Sequence, residues 1–161
     1  MTDAWLDIVA RLALSVVVGT VIGVNRDLHH KQAGVRTNAL VSLGAALAVL
    51  VVMPPGADDA HRIDAMSRVI QGVLTGIGFL GAGVILRNPS SRRVSGLTTA
   101  AAVWLSALLG MACGAGAYVA VGVALLLGLG VIVFGGPFEH WFRKTDDDLT
   151  KSDSDRDTPE L

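Results

Sequence analysis

The sequence predicts an all-α membrane protein, a polytopic bundle of five transmembrane helices with the N-terminus outside and the C-terminus in the cytoplasm. Three observations lead there. The 161-residue chain is 52% hydrophobic with a mean hydropathy of +0.56, yet only 5% aromatic, so Gly, Ala, Val and Leu carry its apolar mass. That composition suits helices packed closely in lipid better than a soluble core. The apolar residues fall into blocks near the ~20 residues that a span needs at the helical rise. The charges, which sum to −1, gather between the blocks.

The first span is expected at about 5–24. Residues 12–24 are uncharged, and Asp7 and Arg11 stand at i,i+4, where they pair on one helix face at the interface beside Trp5. Gly19 and Gly23 form a G-x-x-x-G, a helix-contact spacing. Asp3 and Asp7 stand where a cleavable signal would be basic, so this span is expected to stay in the membrane. A polar loop, 25–36, carries Arg26, Asp27, His29, His30, Lys31 and Arg36. Thr37 or Asn38 is the expected N-cap of the second span, 37–53, which stops at Pro54-Pro55.

Loop two, 56–67, holds Asp58, Asp59, His61, Arg62 and Asp64, and the third span follows at 68–86 with Gln71 and Thr75. Loop three, 87–96, holds Arg87, Arg92 and Arg93 and no acid. The next 40 residues, 97–136, carry no charge. As one helix they would extend about 60 Å, twice the hydrocarbon thickness. They must fold back, and Gly114-Ala115-Gly116 is the hairpin point, giving spans at 97–113 and 117–136. Trp141 and Phe142, followed by Arg143 and Lys144, read as an interfacial anchor. The membrane domain is therefore placed at 1–142, and 143–161 is expected to be a disordered acidic cytoplasmic tail.

Orientation follows from Lys and Arg in the short loops. Loop one, loop three and the C-terminal flank together carry eight, against two (Arg62, Arg68) on the other side. Eight against two puts the tail in the cytoplasm, and an odd number of spans then puts the N-terminus outside.

Gly76, Gly78 and Gly81 spell G-x-G-x-x-G, the dinucleotide fingerprint by its letters. That motif needs a preceding strand, a helix opening at it, and an acid about 20 residues on. Here the glycines lie inside an apolar span and Ala100-Ala101-Ala102 follows at that distance. The expectation is instead a transmembrane helix with one small face, against which a neighbouring helix packs closely. Cys113, the single cysteine, reads as a small buried hydrophobe. His29-His30 points about 100° apart on a helix and has no further ligand at zinc spacing, so no metal site is expected. Asp58, Asp59 and Asp64 read as a solvated loop. The span hydroxyls, Thr75, Thr98, Thr99 and Ser106, either bond their own helix backbone or line an interhelical crevice. No catalytic set, P-loop or cofactor motif is present, and net charge offers nothing to nucleic acid; the chain is expected not to be an enzyme. Nor does a Lys, His or acid sit mid-span, as proton relays and cation pumps usually require.

Three blocks carry a resemblance. Residues 33–45 read Ala33-Gly34-Val35-Arg36-Thr37-Asn38-Ala39-Leu40-Val41-Ser42-Leu43-Gly44-Ala45. Span three reads Gly76-Ile77-Gly78-Phe79-Leu80-Gly81-Ala82-Gly83, and span four opens Gly96-Leu97-Thr98-Thr99-Ala100-Ala101 and continues to Trp104. In order and spacing these resemble the MgtC/SapB family of bacterial inner-membrane proteins, over roughly 15–135. The resemblance implies a five-span domain linked to magnesium homeostasis and to low-magnesium or acid stress. It implies Gly34, Arg36, Thr37, Gly44, Gly76, Gly78, Phe79, Gly81, Gly83, Gly96, Thr98, Thr99 and Trp104 as the motif residues.

The chain departs from the family pattern in three places. Asn25 stands where the family commonly has an acid before the arginine, which argues against a cation ligand there. Gly72, with Gln71 beside it, stands where a Gln is usual. Thr98 replaces the Asn of virulence-associated members, which favours the housekeeping branch. Many members carry a soluble C-terminal domain, and the short acidic tail is expected to leave its function out.

Arg36 at the start of span two either snorkels and sets topology, with Thr37 capping the helix, or joins Arg26 and Arg87 in a polar site at the cytoplasmic mouth. Such a site would take an anionic lipid or a partner's acidic face and would repel Mg2+. The function expected is accessory or regulatory, in magnesium and acid-stress homeostasis. It would act through contacts with other membrane proteins such as an F-type ATP synthase or a magnesium transporter, in a chain that is itself oligomeric. The alternative is a transporter or channel for Mg2+ or another small ion.

Overall fold

The computed structural model describes residues 2–53, 62–87 and 94–135. Five α-helices make up nearly all of them: α1 Thr2–Leu28, α2 Val35–Val52, α3 Arg62–Val84, α4 Leu97–Gly114 and α5 Tyr118–Gly135. Each is long enough and apolar enough to cross a membrane. Lipid offers no partner for a bare amide, so helices that bond internally are what these apolar blocks must form. Leu86–Arg87 (β1) and Val94–Ser95 (β2) pair antiparallel, with Leu86 opposite Ser95. Asp58, Asp59, His61, Arg92, Arg93, the aromatic anchor at 141–142 and the tail at 143–161 lie outside the described residues.

The helix ends correct several sequence-based boundaries. α1 continues a turn past residue 24, through Asn25, Arg26 and Asp27. It stops in a Schellman motif: Lys31 N–H donates to the Arg26 carbonyl and His30 N–H to the Asp27 carbonyl, both at 3.0 Å, with His30 left-handed at φ 51°. α2 starts at Val35 with Gly34 as N-cap, so neither Thr37 nor Asn38 caps it. The cap comes from the neighbouring helix: Asp27 Oδ2 accepts the Val35 N–H at 3.0 Å. α3 starts at Arg62, earlier than the expected 68, with Asp64 in its first turn and Arg68 bonded back to it at 3.0 Å. The α4–α5 turn falls where expected, and Gly116 holds its left-handed position at φ 76°.

α2 packs extensively on both α1 and α4, while α3 leans on α4 and touches α2 much less. The core holds Val18 and Ile22 of α1, Ala46 and Val49 of α2, and Val103, Ala107 and Leu109 of α4. Ile77 joins α3 to Ala45, Val49, Val103, Ala107 and Met111. Cys113 is buried, as its apolar setting implied. Residues 118–125 belong to this unit: Val121 is buried and the Tyr118 hydroxyl bonds Asp7 Oδ1 at 3.3 Å. Residues 126–135 continue α5 as an apolar helix whose Leu126, Leu127, Val131 and Phe134 are exposed.

The close packing does not use the glycines singled out in span three. A Cβ at Gly19 would stand 2.5 Å from the Asn38 carbonyl oxygen, and one at Gly23 would run into the Val35 backbone. A Cβ at Gly110 would strike the Ser42 carbonyl, and one at Gly114 would stand 2.5 Å from the Ala46 carbonyl oxygen. Two G-x-x-x-G pairs, Gly19/Gly23 and Gly110/Gly114, thus let α1 and α4 meet α2 backbone to backbone. By contrast a Cβ at Gly76, Gly78 or Gly83 would meet nothing within 4 Å, and at Gly81 only the Ala100 methyl at 3.6 Å. The expected single small face is therefore not formed: Gly81 turns inward, Gly76 and Gly83 share an outer face, Gly78 lies on another, and no helix of the described chain presses on the outer ones. The reason is register: Ile77 and Gly81, four apart, are the buried positions of that segment, and they turn Gly76, Gly78 and Gly83 outward.

Candidate functional site

Polar side chains run through the α1–α2–α4 interface. Asn38 is fully buried; its Nδ2 donates to the Ala33 and Gly34 carbonyls at 2.6 and 2.9 Å, and its Oδ1 accepts from Ser106 Oγ at 2.8 Å. One amide therefore holds the carbonyls at the entry to α2 and ties that entry to α4. Ser42, one turn on, is fully buried and its hydroxyl has no partner. Arg26 Nη2 donates to Thr99 Oγ1 at 2.7 Å, with both residues buried. At the far end of α1, Arg11 bridges the Asp7 carboxylate at 2.8 Å and the Gly114 carbonyl at 2.9 Å. The expected Asp7–Arg11 pair is thus present.

The span hydroxyls divide between their two readings. Thr75 bonds the Gln71 carbonyl of its own helix at 2.8 Å, whereas Thr99 and Ser106 bond across helices. The three arginines of the expected mouth site stand differently. Arg26 is buried, Arg36 is exposed on the first turn of α2, and Arg87 is described by its backbone in β1 alone. Of the motif residues, Gly34 is the N-cap of α2, and a Cβ there would strike the Asp27 carboxylate. Thr37 and Thr98 are exposed. Gly96 is the left-handed N-cap of α4, at φ 94°. Trp104 is half exposed, and Phe79 is 82% exposed.

Between α2 and α3 lies an open apolar groove of about 360 Å³, lined by Leu40, Val41, Gly44, Gly76, Ile77 and Leu80 among others. Gly44 and Gly76 both face open space there. His29 Nδ1 lies 2.7 Å from the Asn25 carbonyl oxygen, and among the described residues no three His, Cys, Asp or Glu side chains come together as metal ligands do.

Sequence reasoning missed Asn38 as a hub and passed over Ser42. The signal was legible: Asn38 and Ser42 stand at i,i+4 in an uncharged span and share a helix face. A primary amide inside lipid is costly unless bonded, so it should have been read as an interhelical tie.

The model of the MgtC family matches residues 12–141. The chain belongs to the MgtC family. SrpB of Synechococcus elongatus is 48% identical over 119 residues, covering 70% of this chain and 65% of SrpB. MgtC of Salmonella typhimurium is 42% identical over 110 residues, covering 68% of this chain and 44% of MgtC. A Synechocystis protein is 39% identical over 114 residues, 71% of this chain and 46% of its own length. The chain thus spans less than two thirds of each of these relatives. No solved structure matches.

Proposed function

We propose that this protein is an accessory or regulatory component of magnesium and acid-stress homeostasis in the bacterial inner membrane, acting through helix contacts with other membrane proteins. The observation that carries the reading is the uncovered face of α3. Gly76 and Gly83 meet nothing within 4 Å, and Phe79, on the same helix face between them, stands 82% exposed. Small residues let a foreign helix approach closely, and a protruding aromatic gives it an anchor. Family membership supplies the physiological setting. The occupant is a second copy of this chain or a larger membrane complex, with an F-type ATP synthase and a magnesium transporter as the candidates. On the Lys and Arg count, the N-terminus faces out and the C-terminus faces the cytoplasm.

Purification of the tagged protein in mild detergent tests this. A co-purifying membrane protein that is lost on Gly83→Leu supports the reading; a complex that ignores that substitution counts against it. The competing reading, a channel or transporter, is decided by 28Mg2+ uptake into proteoliposomes of the pure protein. Saturable flux would replace the regulatory role.

A further inference from the structure

Both arginines of α1 reach α4, at opposite ends of that helix. Arg11 donates to the Gly114 carbonyl at the C-terminus of α4 and pairs with Asp7. A helix C-terminus carries partial negative charge, so this guanidinium is compensated twice. Arg26 is in the reverse situation. It bonds Thr99, which sits in the first turn of α4, at the positive end of the same macrodipole. No acidic residue stands in that turn, and the N-cap Gly96 supplies no side-chain cap. The first amides of α4 have no acceptor within their own helix, as at any helix start.

Arg26 is only 4% exposed, and the Thr99 hydroxyl is its one side-chain partner among the described residues. Its Nε, like that of Arg11, is buried without an acceptor, but Arg11 has a carboxylate and Arg26 has none among the described residues. Neighbouring Asp27 is already engaged, since its carboxylate accepts the Val35 N–H and packs on Gly34. A buried cation pressed on the positive end of a helix is a site short of one negative charge.

We propose that the end of α1 and the start of α4 form a binding site for a phosphate-type oxyanion, held by the Arg26 guanidinium and the first-turn amides of α4. A phosphate group satisfies both halves: its oxygens accept from the guanidinium and from helix N-terminal N–H groups alike. Exposed Leu97 and Thr98 leave the first turn open to a ligand from outside the bundle. The headgroup of an anionic phospholipid and free inorganic phosphate share this chemistry. The inference narrows the three-arginine mouth to one guanidinium and one helix end, and it does not depend on the regulatory role.

The test uses the full chain in nanodiscs of pure phosphatidylcholine. Inorganic phosphate is titrated while its 31P line width is read. In a second arm, native mass spectrometry counts retained lipid after exposure to equal phosphatidylglycerol and phosphatidylcholine. Wild type is expected to broaden the phosphate line, to retain phosphatidylglycerol preferentially, or both. Broadening identifies the free anion, and lipid retention alone identifies the headgroup. Arg26→Gln is expected to weaken the signal at least about tenfold, the size of one charge-assisted hydrogen bond. Arg36→Gln, at an exposed arginine, is expected to leave it within about twofold. Thr99→Ala keeps the charge but frees the guanidinium from its perch, and serves if Arg26→Gln does not fold; a loss of several-fold is expected. Absence of both signals in wild type overturns the proposal. So does loss on Arg36→Gln equal to that on Arg26→Gln, or binding untouched by Thr99→Ala.

Discussion

Two glycine-rich regions of this molecule do opposite things. In α1 and α4, Gly19, Gly23, Gly110 and Gly114 lie against the backbone of α2, and their missing side chains are what permits the contact. In α3, Gly76, Gly78 and Gly83 face open space. The residue type is the same in both, yet one set is used up inside the chain and the other is left over. A small-residue stripe therefore says that a helix can be approached closely, and only the packing around it says by what. What decides is the neighbour's register: Ser42 and Ala46 of α2 meet Gly110 and Gly114 turn for turn, while Ile77 and Gly81 take α3's inward positions.

The contrast can be broken most sharply at Gly110. Gly110→Leu drives a side chain into the Ser42 backbone, well beyond the ~1–3 kcal/mol of ordinary overpacking. Loss of the monodisperse peak on size exclusion in detergent is the expected result. Next in size is Asn38→Leu. It removes the bonds to Ala33 and Gly34 and strands the Ser106 hydroxyl, a loss of about 1–3 kcal/mol seen as a lowered Tm. A double-mutant cycle with Ser106→Ala should show positive coupling between the two. Asp27→Ala removes the cross-helix cap of α2 and should cost about 1 kcal/mol, again read from Tm. Smallest is Gly78→Ala. With open space at the Cβ, it should leave the Tm unchanged or raise it, by up to the ~1 kcal/mol that Ala gains over Gly in a helix interior. A clear destabilisation there would mean that α3's outer face is packed after all.

The five spans were legible because lipid imposes length and apolarity on every crossing segment. The hairpin at Gly114-Ala115-Gly116 followed from arithmetic, since 40 uncharged residues exceed one span. Helix ends were read less well. The N-cap of α2 was sought among its own residues, but Asp27 supplies the cap from α1, a partnership between helices that no local pattern reports. Thr99 and Arg26 were both noted, 73 residues apart, yet nothing in their spacing joins them. Interhelical register is a tertiary quantity, and it settled which glycines, which hydroxyls and which arginine faced inward.

The claim that α3 keeps its small face for a contact outside the chain is tested most directly by photo-crosslinking in living cells. Phe79, exposed on the face of Gly76 and Gly83, is replaced by p-benzoyl-phenylalanine, aromatic for aromatic. The account expects a protein adduct on irradiation, with a second copy of the chain or a larger membrane protein, that disappears when Gly83→Leu is added. Adducts to lipid alone, with no protein band from residue 79, would contradict it.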